Sequence, residues 1–331
     1  MGVNLRGRSL LTLEDYTKEE IETLITTARD YKQMKMAGIP HKTLSGKSIV
    51  LLFAKDSTRT RSAFEVAAAD LGMHSQYVGP SGSHMGTGES IEDTGKVLGR
   101  FFDGIEFRGF KQSDVEMLAK HAGVPVWNGL TDFFHPTQIL ADFMTAEENF
   151  AKPLNHLKWV YVGDGRNNTA ISQMISAAKV GMDFTIVSPE SLQPSEDLIK
   201  EARDFAKISG AKINFANDPT GKEMDGADVV YTDVWVSMGE EEKWDERIKL
   251  LTPYQVNKKV IEATHNPDVI FLHCLPSFHD TNTTTGAAIK EKYGLDAMEV
   301  SDDVFRGPHS RVFDLAENRM HTIKAVMALT L

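Results

Sequence analysis

The chain alternates short β-rich runs with longer helical segments, and this alternation constrains its fold more than any other feature. The clearest β-rich runs are SIVLLF (48–53), WVYVG (159–163), FTIVS (184–188), VVYTDVW (229–235) and VIFLHCL (269–275). Strands that alternate with helices usually pair in parallel sheets whose faces the helices cover. The sequence therefore predicts an α/β protein built from doubly wound domains, each with a mainly parallel sheet.

The length of 331 residues favours two such domains. The polar stretch AEENFAKPLNH (146–156) separates an apolar helix from the next predicted strand, so the predicted boundary lies within it. We assign residues 1–149 to a first domain and 150–318 to a second. Residues 319–331 form an apolar-striped helix that we expect to pack back on the first domain.

Composition restricts the possible partners and the compartment. With 36 basic and 47 acidic residues the formal charge is −11, which argues against nucleic acid or an acidic membrane surface as a partner. The single cysteine, Cys274, excludes an internal disulfide, and no hydrophobic or arginine-rich leader opens the sequence. The longest apolar run is far shorter than the roughly 20 residues of a membrane-spanning helix. These features predict a soluble cytoplasmic enzyme.

The stretch FAKDSTRTRSAF (53–64) predicts a strand, a turn and a helix with Ser57 as its N-cap. Amides of a first helical turn and the helix dipole attract phosphate or carboxylate. Arg59 can add a bidentate contact, whereas Arg61 points away and lies four residues before Glu65, as a structural residue would. The alternative is an ordinary capped helix with solvated arginines. No P-loop motif lies near this turn, so the predicted anion is smaller than a nucleotide.

Three further motifs of the first half suit an anionic or carbonyl ligand. The loop GPSGSHMGTGES (79–90) is either anion-binding or a plain connector. Arg108 comes at the end of the β-rich GIEF, where α/β sheets place ligands. His135 and Gln138 come at the start of an apolar helix, where the imidazole can donate to a carbonyl oxygen or serve only in helix capping.

The motif VGDGRNNTAIS (162–172) follows a strand and opens a helix, so it must be tested as a dinucleotide fingerprint. Gly163 and Gly165 match G-x-G-x-x-G, but the third glycine position holds Asn168. The mismatch argues against an NAD dehydrogenase. The amides of Asn167 and Asn168 instead suit a small polar ligand.

Two later motifs end predicted strands. Asp233 and Ser237 in YTDVWVSMGEEE suit an α-amino group, although a solvated acidic loop is the alternative. In FLHCLPSFHD, Cys274 is a candidate nucleophile. A metal site made by Cys274, His273 and His279 is disfavoured, because adjacent strand residues face opposite ways.

The last motif, AENR, places Arg319 at the predicted start of the terminal helix, as an anion ligand or as a salt-bridge partner of Glu317 or Asp314. In chain order the motifs are S-T-R-T-R, F-R-G, H-P-T-Q, G-D-G-R-N-N, D-V-W-V-S-M-G, H-C-L-P and E-N-R. This order resembles that of the aspartate/ornithine transcarbamylase family over nearly the whole chain. S-M-G and H-C-L-P resemble the ornithine enzymes of that family rather than the aspartate ones.

The resemblance implies a carbamoyltransferase that moves the carbamoyl group of carbamoyl phosphate to the side-chain amine of L-ornithine, giving L-citrulline and phosphate. It implies no metal or organic cofactor, and a homotrimer or a multiple of trimers with sites shared between subunits. Alternatives are another amine acceptor, such as putrescine or an acylated ornithine, and a family member without catalytic activity. Synthesis and breakdown of arginine both remain open as its metabolic role.

The resemblance also implies roles for individual residues. The phosphate falls to Ser57, Thr58, Arg59 and Thr60, with Arg108 beside them. The carbamoyl oxygen and amide fall to His135 and Gln138, and Cys274, Leu275 and Arg319 close over the carbamoyl end. The α-amino and α-carboxylate groups of ornithine fall to Asn168, Asp233, Ser237 and Met238. Arg108, His135, Asp233 and Cys274 are the expected catalytic residues, the last two near the attacking amine.

The sequence departs from the family pattern in the loop at 79–90, which in the family's trimers reaches the site of a neighbouring subunit. The family commonly has glutamine where His84 stands and lysine where Gly88 stands. We include His84 among the expected carbamoyl phosphate ligands. Without the lysine ammonium, we expect weaker binding of carbamoyl phosphate than is usual in the family.

Overall fold

The computed structural model describes residues 2–236 and 241–331, which form two compact units. Unit 1 comprises Met1–Met144 and Ala316–Leu331, and unit 2 comprises Thr145–Leu315. The division passes through a helix whose last residue, Asn149, is the predicted boundary of the first domain.

Unit 1 is built around a parallel sheet of four strands in the order β2-β1-β3-β4. The strands are β1 (Ser48–Phe53), β2 (His74–Val78), β3 (Gly104–Arg108) and β4 (Val126–Leu130). The helices of this part of the chain are α1 (Lys18–Met36), α2 (Thr58–Asp70), α3 (Ile91–Phe101), α4 (Gln112–Ala122), α5 (Pro136–Asn149) and, at the C-terminus, α12 (Val312–Thr330).

Unit 2 contains a parallel sheet of five strands in the order β7-β6-β5-β8-β9. The strands are β5 (Lys158–Val162), β6 (Asp183–Val187), β7 (Lys212–Ala216), β8 (Val229–Thr232) and β9 (Ile270–His273). The helices are α6 (Asn168–Val180), α7 (Glu196–Ser209), α8 (Trp244–Leu251), α9 (Lys258–Glu262), α10 (Thr284–Tyr293) and α11 (Asp302–Phe305). The predicted fold class, two parallel sheets covered by helices, is confirmed.

Burial explains which strands the sequence reveals. Five of the six residues of β1 are buried, as expected for a central parallel strand covered on both faces. The strands β2 and β7 lie at sheet edges and mix polar with apolar residues, so no apolar run marks them. The strand β4 contains Asn128 and Gly129, a pair that in sequence is typical of a turn.

The C-terminal helix packs on unit 1, as predicted. The indole Nε1 of Trp127 donates to Oγ1 of Thr330 at 3.1 Å, and Nζ of the buried Lys324 lies 2.6 Å from Oδ2 of Asp70. The predicted start of this helix is wrong, because α12 begins at Val312 and Arg319 lies inside it. No helix among the described residues has the length and apolar content needed to span a membrane.

Candidate functional site

The turn between β1 and α2 has the predicted capped geometry. Ser57 is the N-cap, and its hydroxyl accepts a hydrogen bond from the amide of Thr60 at 3.2 Å. Arg61 pairs with Glu65 at 2.9 Å, and its guanidinium lies 3.8 Å from the centre of the Tyr77 ring. The structure thus gives Arg61 the structural contact that its spacing from Glu65 predicts.

Two buried arginines meet the start of α2 from distant parts of the chain. Nη2 of Arg319 donates to Oγ1 of Thr60 at 3.1 Å, and Nη1 of Arg108 approaches the same oxygen at 3.5 Å. Thr60 is 0% exposed, and Arg108 and Arg319 are 8% and 4% exposed. We call the turn at 57–60, together with Arg108 and Arg319, the anion cradle. Cations at a helix N-terminus favour a dianion strongly, because dipole and charge act together.

His135 lies beside the cradle as a neutral imidazole. Burial lowers the pKa of His135 well below its usual value, and the charges of Arg319, Arg108 and Arg59 lower it further. Its Nδ1 lies 3.5 Å from Oγ1 of Thr137. A neutral imidazole donates one hydrogen bond without adding charge, which suits contact with a carbonyl oxygen.

Gln138 presents an amide oxygen inside unit 1. Its Nε2 donates to Oδ1 of Asp142 at 2.9 Å, which fixes the orientation of the amide. The buried Oε1 has no hydrogen-bond partner among the described residues. A buried acceptor of this kind needs a donor, and the amide of a carbamoyl group supplies one.

In unit 2 the glycine turn after β5 opens α6, as predicted. Asn167 is the N-cap and accepts from the amide of Thr169 at 2.8 Å, and Asn168 is the first helical residue. Oδ2 of Asp164 in this turn forms an ion pair with Nη1 of the buried Arg247, 2.7 Å away. Gly165 has no room for a side chain, since a Cβ atom would lie 2.9 Å from the carbonyl oxygen of Leu192.

Asp233 and Cys274 meet at the carboxyl ends of two neighbouring strands, β8 and β9. The thiol of Cys274 donates to Oδ1 of the buried Asp233 at 3.0 Å, and the amide of Val234 donates to the same oxygen at 2.8 Å. A carboxylate held beside a thiol suits a primary amine, which offers hydrogens to both.

The prediction that His273 and Cys274 face opposite sides of a strand is wrong, because β9 ends at His273 and Cys274 lies beyond it. Ligand atoms of Asp233, His273 and Cys274 lie within 4.8 Å of one another. Both ring nitrogens of His273 nevertheless face other protein groups. Nδ1 accepts from the amide of Leu275 at 2.8 Å, and Nε2 faces Oε1 of Glu299 at 3.3 Å. The histidine therefore anchors the turn.

Glu299 carries the negative charge of this anchor. Burial disfavours its ionised form, but His273 and the amide of Phe278 keep the pKa of Glu299 below its usual value. Its Oε1 also accepts from Oγ of Ser277 at 2.8 Å.

The backbone of Leu275 has a φ of 59°, a value that a non-glycine residue adopts only when its surroundings impose it.

Three predicted ligands are not placed with these groups, two of them because they fall in 237–240. Ser237 and Met238 lie outside the described residues. His84 is exposed on the 79–90 loop, where its carbonyl oxygen accepts from the amides of Thr87, Gly88 and Glu89. Unit 1 by itself does not bring the His84 imidazole into the cradle.

Comparison with known proteins agrees with this division of the chain. The carbamoyl-P binding domain of aspartate/ornithine carbamoyltransferase matches residues 8–148, and the Asp/Orn binding domain matches residues 155–330. The chain belongs to the aspartate/ornithine carbamoyltransferase family. The family membership expected from the order of the motifs is therefore confirmed.

Members of the carbamoyltransferase family resemble this chain from end to end. A catabolic ornithine carbamoyltransferase of Bacillus licheniformis is 58% identical over 99% of this chain and 98% of its own. That of Streptococcus ratti is 57% identical over 98% of this chain and 96% of its own. The solved ornithine carbamoyltransferase of Pyrococcus furiosus is 46% identical, with a TM-score of 0.90 over 99% of this chain and 98% of that one.

Several buried residues that lie next to the groups described above have no sequence signal of their own. They are Glu106, Thr137, Asp164, Arg247 and Glu299. The spacing of these residues along the chain does not predict where they lie, since each contacts residues that are distant in sequence. Only the apolar context of Glu106, within the buried strand GIEFR, hints that a carboxyl there is unusual.

Proposed function

We propose that this protein transfers the carbamoyl group of carbamoyl phosphate to the side-chain amine of L-ornithine, giving L-citrulline and phosphate. The observation that carries the proposal is the anion cradle of unit 1, in which Arg319 and Arg108 converge on Thr60 beside the neutral His135. Family membership and the names of the relatives support the same reaction.

In this proposal, residues 1–149 bind carbamoyl phosphate. The phosphate binds at the N-terminus of α2, to Ser57, Thr58, Arg59 and Thr60, with Arg108 beside them. His135 donates to the carbamoyl oxygen, and Gln138 accepts from the carbamoyl amide through Oε1. Because these donors are already in place, they stabilise the negative charge that builds on the carbamoyl oxygen without reorganising.

Residues 150–318 hold ornithine. The proposed ligands of its α-amino and α-carboxylate groups are Asn168, Asp233, Ser237 and Met238. The side-chain amine contacts Asp233 and Cys274, whose thiol and carboxylate lie 3.0 Å apart. Leu275 and Arg319 complete the carbamoyl end, and residues 319–331 carry this arginine.

The amine must react in its uncharged form. Its nitrogen attacks the carbamoyl carbon, the bond from that carbon to the phosphate oxygen breaks, and the departing phosphate accepts the proton that the amine loses. A primary amine titrates near 10, so we expect kcat/KM for ornithine to rise with pH above neutrality. Catalysis consists mainly of positioning and electrostatic stabilisation, with no metal or organic cofactor.

We also propose a cytoplasmic homotrimer, or a multiple of trimers, in which the 79–90 loop serves a neighbouring subunit. The exposure of His84 in unit 1 supports this assignment, because a ligand residue needs a substrate to contact. Light scattering on the purified full chain tests it, and a monomer with full activity would contradict it.

The test of function is citrulline formation from ornithine and carbamoyl phosphate. Arg59→Ala should raise the KM for carbamoyl phosphate by at least about tenfold, the value of a lost charge-assisted hydrogen bond. Arg61→Ala is the matched control and should leave KM unchanged, since Arg61 pairs with Glu65. Full activity of Arg59→Ala, or faster carbamoylation of putrescine than of ornithine, would overturn the assignment.

A further inference from the structure

A buried carboxyl group lies behind the anion cradle and has no part in the reaction above. Glu106 belongs to β3, two residues before Arg108, so the two side chains lie on the same face of the sheet. Its side chain is 0% exposed, and neither carboxylate oxygen has a hydrogen-bond partner among the described residues. An orphaned buried carboxyl is rare, and it calls for a physical explanation.

The backbone around Gly129 makes room for this carboxyl. A Cβ atom at Gly129 would lie 1.9 Å from Oε1 of Glu106 and 3.2 Å from Cγ2 of Thr60. The pairing of β3 with β4 shifts here, since Phe107 lies opposite Asn128 but Arg108 lies opposite Leu130. Gly129 is therefore the extra residue of a bulge, and the space above it holds the carboxyl directly behind Thr60.

The charges that act on Glu106 come from Arg108, on its own strand, and from Arg319 of α12. Both favour the ionised form, yet burial outweighs them and raises the pKa of Glu106 well above its usual value. The neighbours from α2 and β4, Thr60 and Gly129, carry no charge. His135 next to α5 is neutral, because burial and the arginines lower its pKa. Burial therefore favours the neutral, protonated form of Glu106.

We propose that Glu106 is a proton-linked positioning residue, neutral while a phosphate dianion occupies the cradle, and that its ionisation at alkaline pH weakens dianion binding. The inference rests on the proposed function, which makes carbamoyl phosphate the occupant. The neutral acid leaves the charges of Arg108 and Arg319 undiminished toward the ligand. The ionised acid repels the dianion and attracts the same two arginines.

Linkage makes the coupling reciprocal. If ionised Glu106 lowers the affinity for the dianion by some factor, the bound dianion raises the affinity of Glu106 for its proton by the same factor. A coupling of one pKa unit corresponds to a tenfold change in affinity. Binding at alkaline pH must then be accompanied by proton uptake.

The test is calorimetric titration of the full chain with carbamoyl phosphate between pH 7 and pH 10, in buffers of different ionisation enthalpy. The ligand is already a dianion in this range, because the second pKa of a phosphoester lies at about 6. The wild type should lose about tenfold in affinity across the range and take up protons on binding. Glu106→Gln should keep the neutral-pH affinity and lose both effects.

Glu116→Gln is the matched control, since it removes one carboxylate from the exposed face of α4 and should behave as the wild type. An equal alkaline loss in Glu106→Gln and the wild type overturns the proposal, and so does a wild type without alkaline loss. A loss of more than about tenfold at pH 7 in Glu106→Gln also overturns it, since an ionised carboxylate would then hold the arginines.

A second measurement needs no variant and covers a failure of Glu106→Gln to fold. The infrared difference spectrum of the wild type at pH 9 should gain a carboxylic-acid carbonyl band when carbamoyl phosphate binds, and its absence contradicts the coupling. If the wild type does not bind carbamoyl phosphate at any pH, the proposed function fails rather than this inference.

Discussion

At the residue scale, neighbouring groups of the same type do different work because their partners differ. Arg61, two residues after Arg59 on α2, pairs with Glu65 and lies against the ring of Tyr77. The two asparagines of the glycine turn divide similarly, since Asn167 caps α6 while Asn168 lies within it. Local contacts therefore explain the structural roles of Arg61 and Asn167.

The tight space at Gly129 yields a residue-scale prediction. Gly129→Ala should lower the free energy of unfolding by about 1 to 3 kcal/mol, because the new methyl group overlaps the carboxyl of Glu106. In a Glu106→Ala background the same substitution should cost much less, since the overlapping group is gone. Urea denaturation of the four proteins measures this coupling.

Gly88→Ala is the control for the alanine itself, because a Cβ atom at 88 meets only the His84 side chain, at 3.6 Å. It should be nearly neutral. Equal costs of Gly129→Ala in the two backgrounds would mean that Glu106 does not fill the space.

At the element scale, the turn after β9 depends on a buried histidine–carboxylate pair rather than on its own sequence. His273 and Glu299 are both 0% exposed, and together they accept hydrogen bonds from the amides of Leu275 and Phe278. These two amides flank the segment that follows Cys274. The pair therefore holds the thiol in place through the backbone.

Removal of the His273 imidazole should lower the stability of the fold. His273→Ala should lower the free energy of unfolding by about 3 to 5 kcal/mol, because Glu299 keeps a buried charge without its imidazole. The double variant with Glu299→Gln should lose less than the sum of the single losses. Chemical denaturation measures all three, with the exposed His156→Ala as control.

The 79–90 loop gives a second prediction at this scale. Three amides of the loop donate to the carbonyl oxygen of His84, and a Cβ atom at Gly88 would meet the His84 side chain at an ordinary contact distance of 3.6 Å. Gly88→Lys should lower the KM for carbamoyl phosphate several-fold, since an ammonium restores the charge that the family carries there. Steady-state kinetics of Gly88→Lys, with Gly88→Gln as the uncharged control, test this prediction. An unchanged KM for carbamoyl phosphate in Gly88→Lys would refute it.

At the scale of the whole molecule, a chain of formal charge −11 must hold its dianion by local charges alone.

A buried histidine also affects the pH dependence of stability for the entire fold. His321 is 1% exposed, and burial together with the charge of Lys324 lowers its pKa to about 4. His321 therefore takes up its proton at a lower pH in the folded protein than in the unfolded chain, where histidine titrates near 6.5.

Acid stability follows from this difference. Between pH 6.5 and about 4 the unfolded chain binds more protons, so the free energy of unfolding should fall as the pH falls. His321 accounts for at most about 3 kcal/mol of that fall. His321→Gln should reduce the difference in stability between pH 7 and pH 4.5, whereas the exposed His156→Gln should not. Identical pH dependence of His321→Gln and the wild type would contradict the prediction.

Much of the fold was predictable because its signals are local. The five apolar runs mark buried strands, and Ser57 and Asn167 mark helix starts by side-chain caps within three residues. The edge strands β2 and β7 escaped, since partial exposure removes the apolar pattern. The start of α12 was misplaced because the helix begins at Val312, about two turns before Arg319.

The sequence by itself determined the two sheets, the capped turn that attracts an anion and the order of motifs that reveals the family. Only the tertiary structure decided how these parts combine, because the decisive contacts join residues far apart in the chain. Arg319 reaches Thr60 across 259 positions, and Cys274 reaches Asp233 across 41. Burial likewise lowers the pKa of His135 and raises that of Glu106, and neither shift can be read from the local sequence.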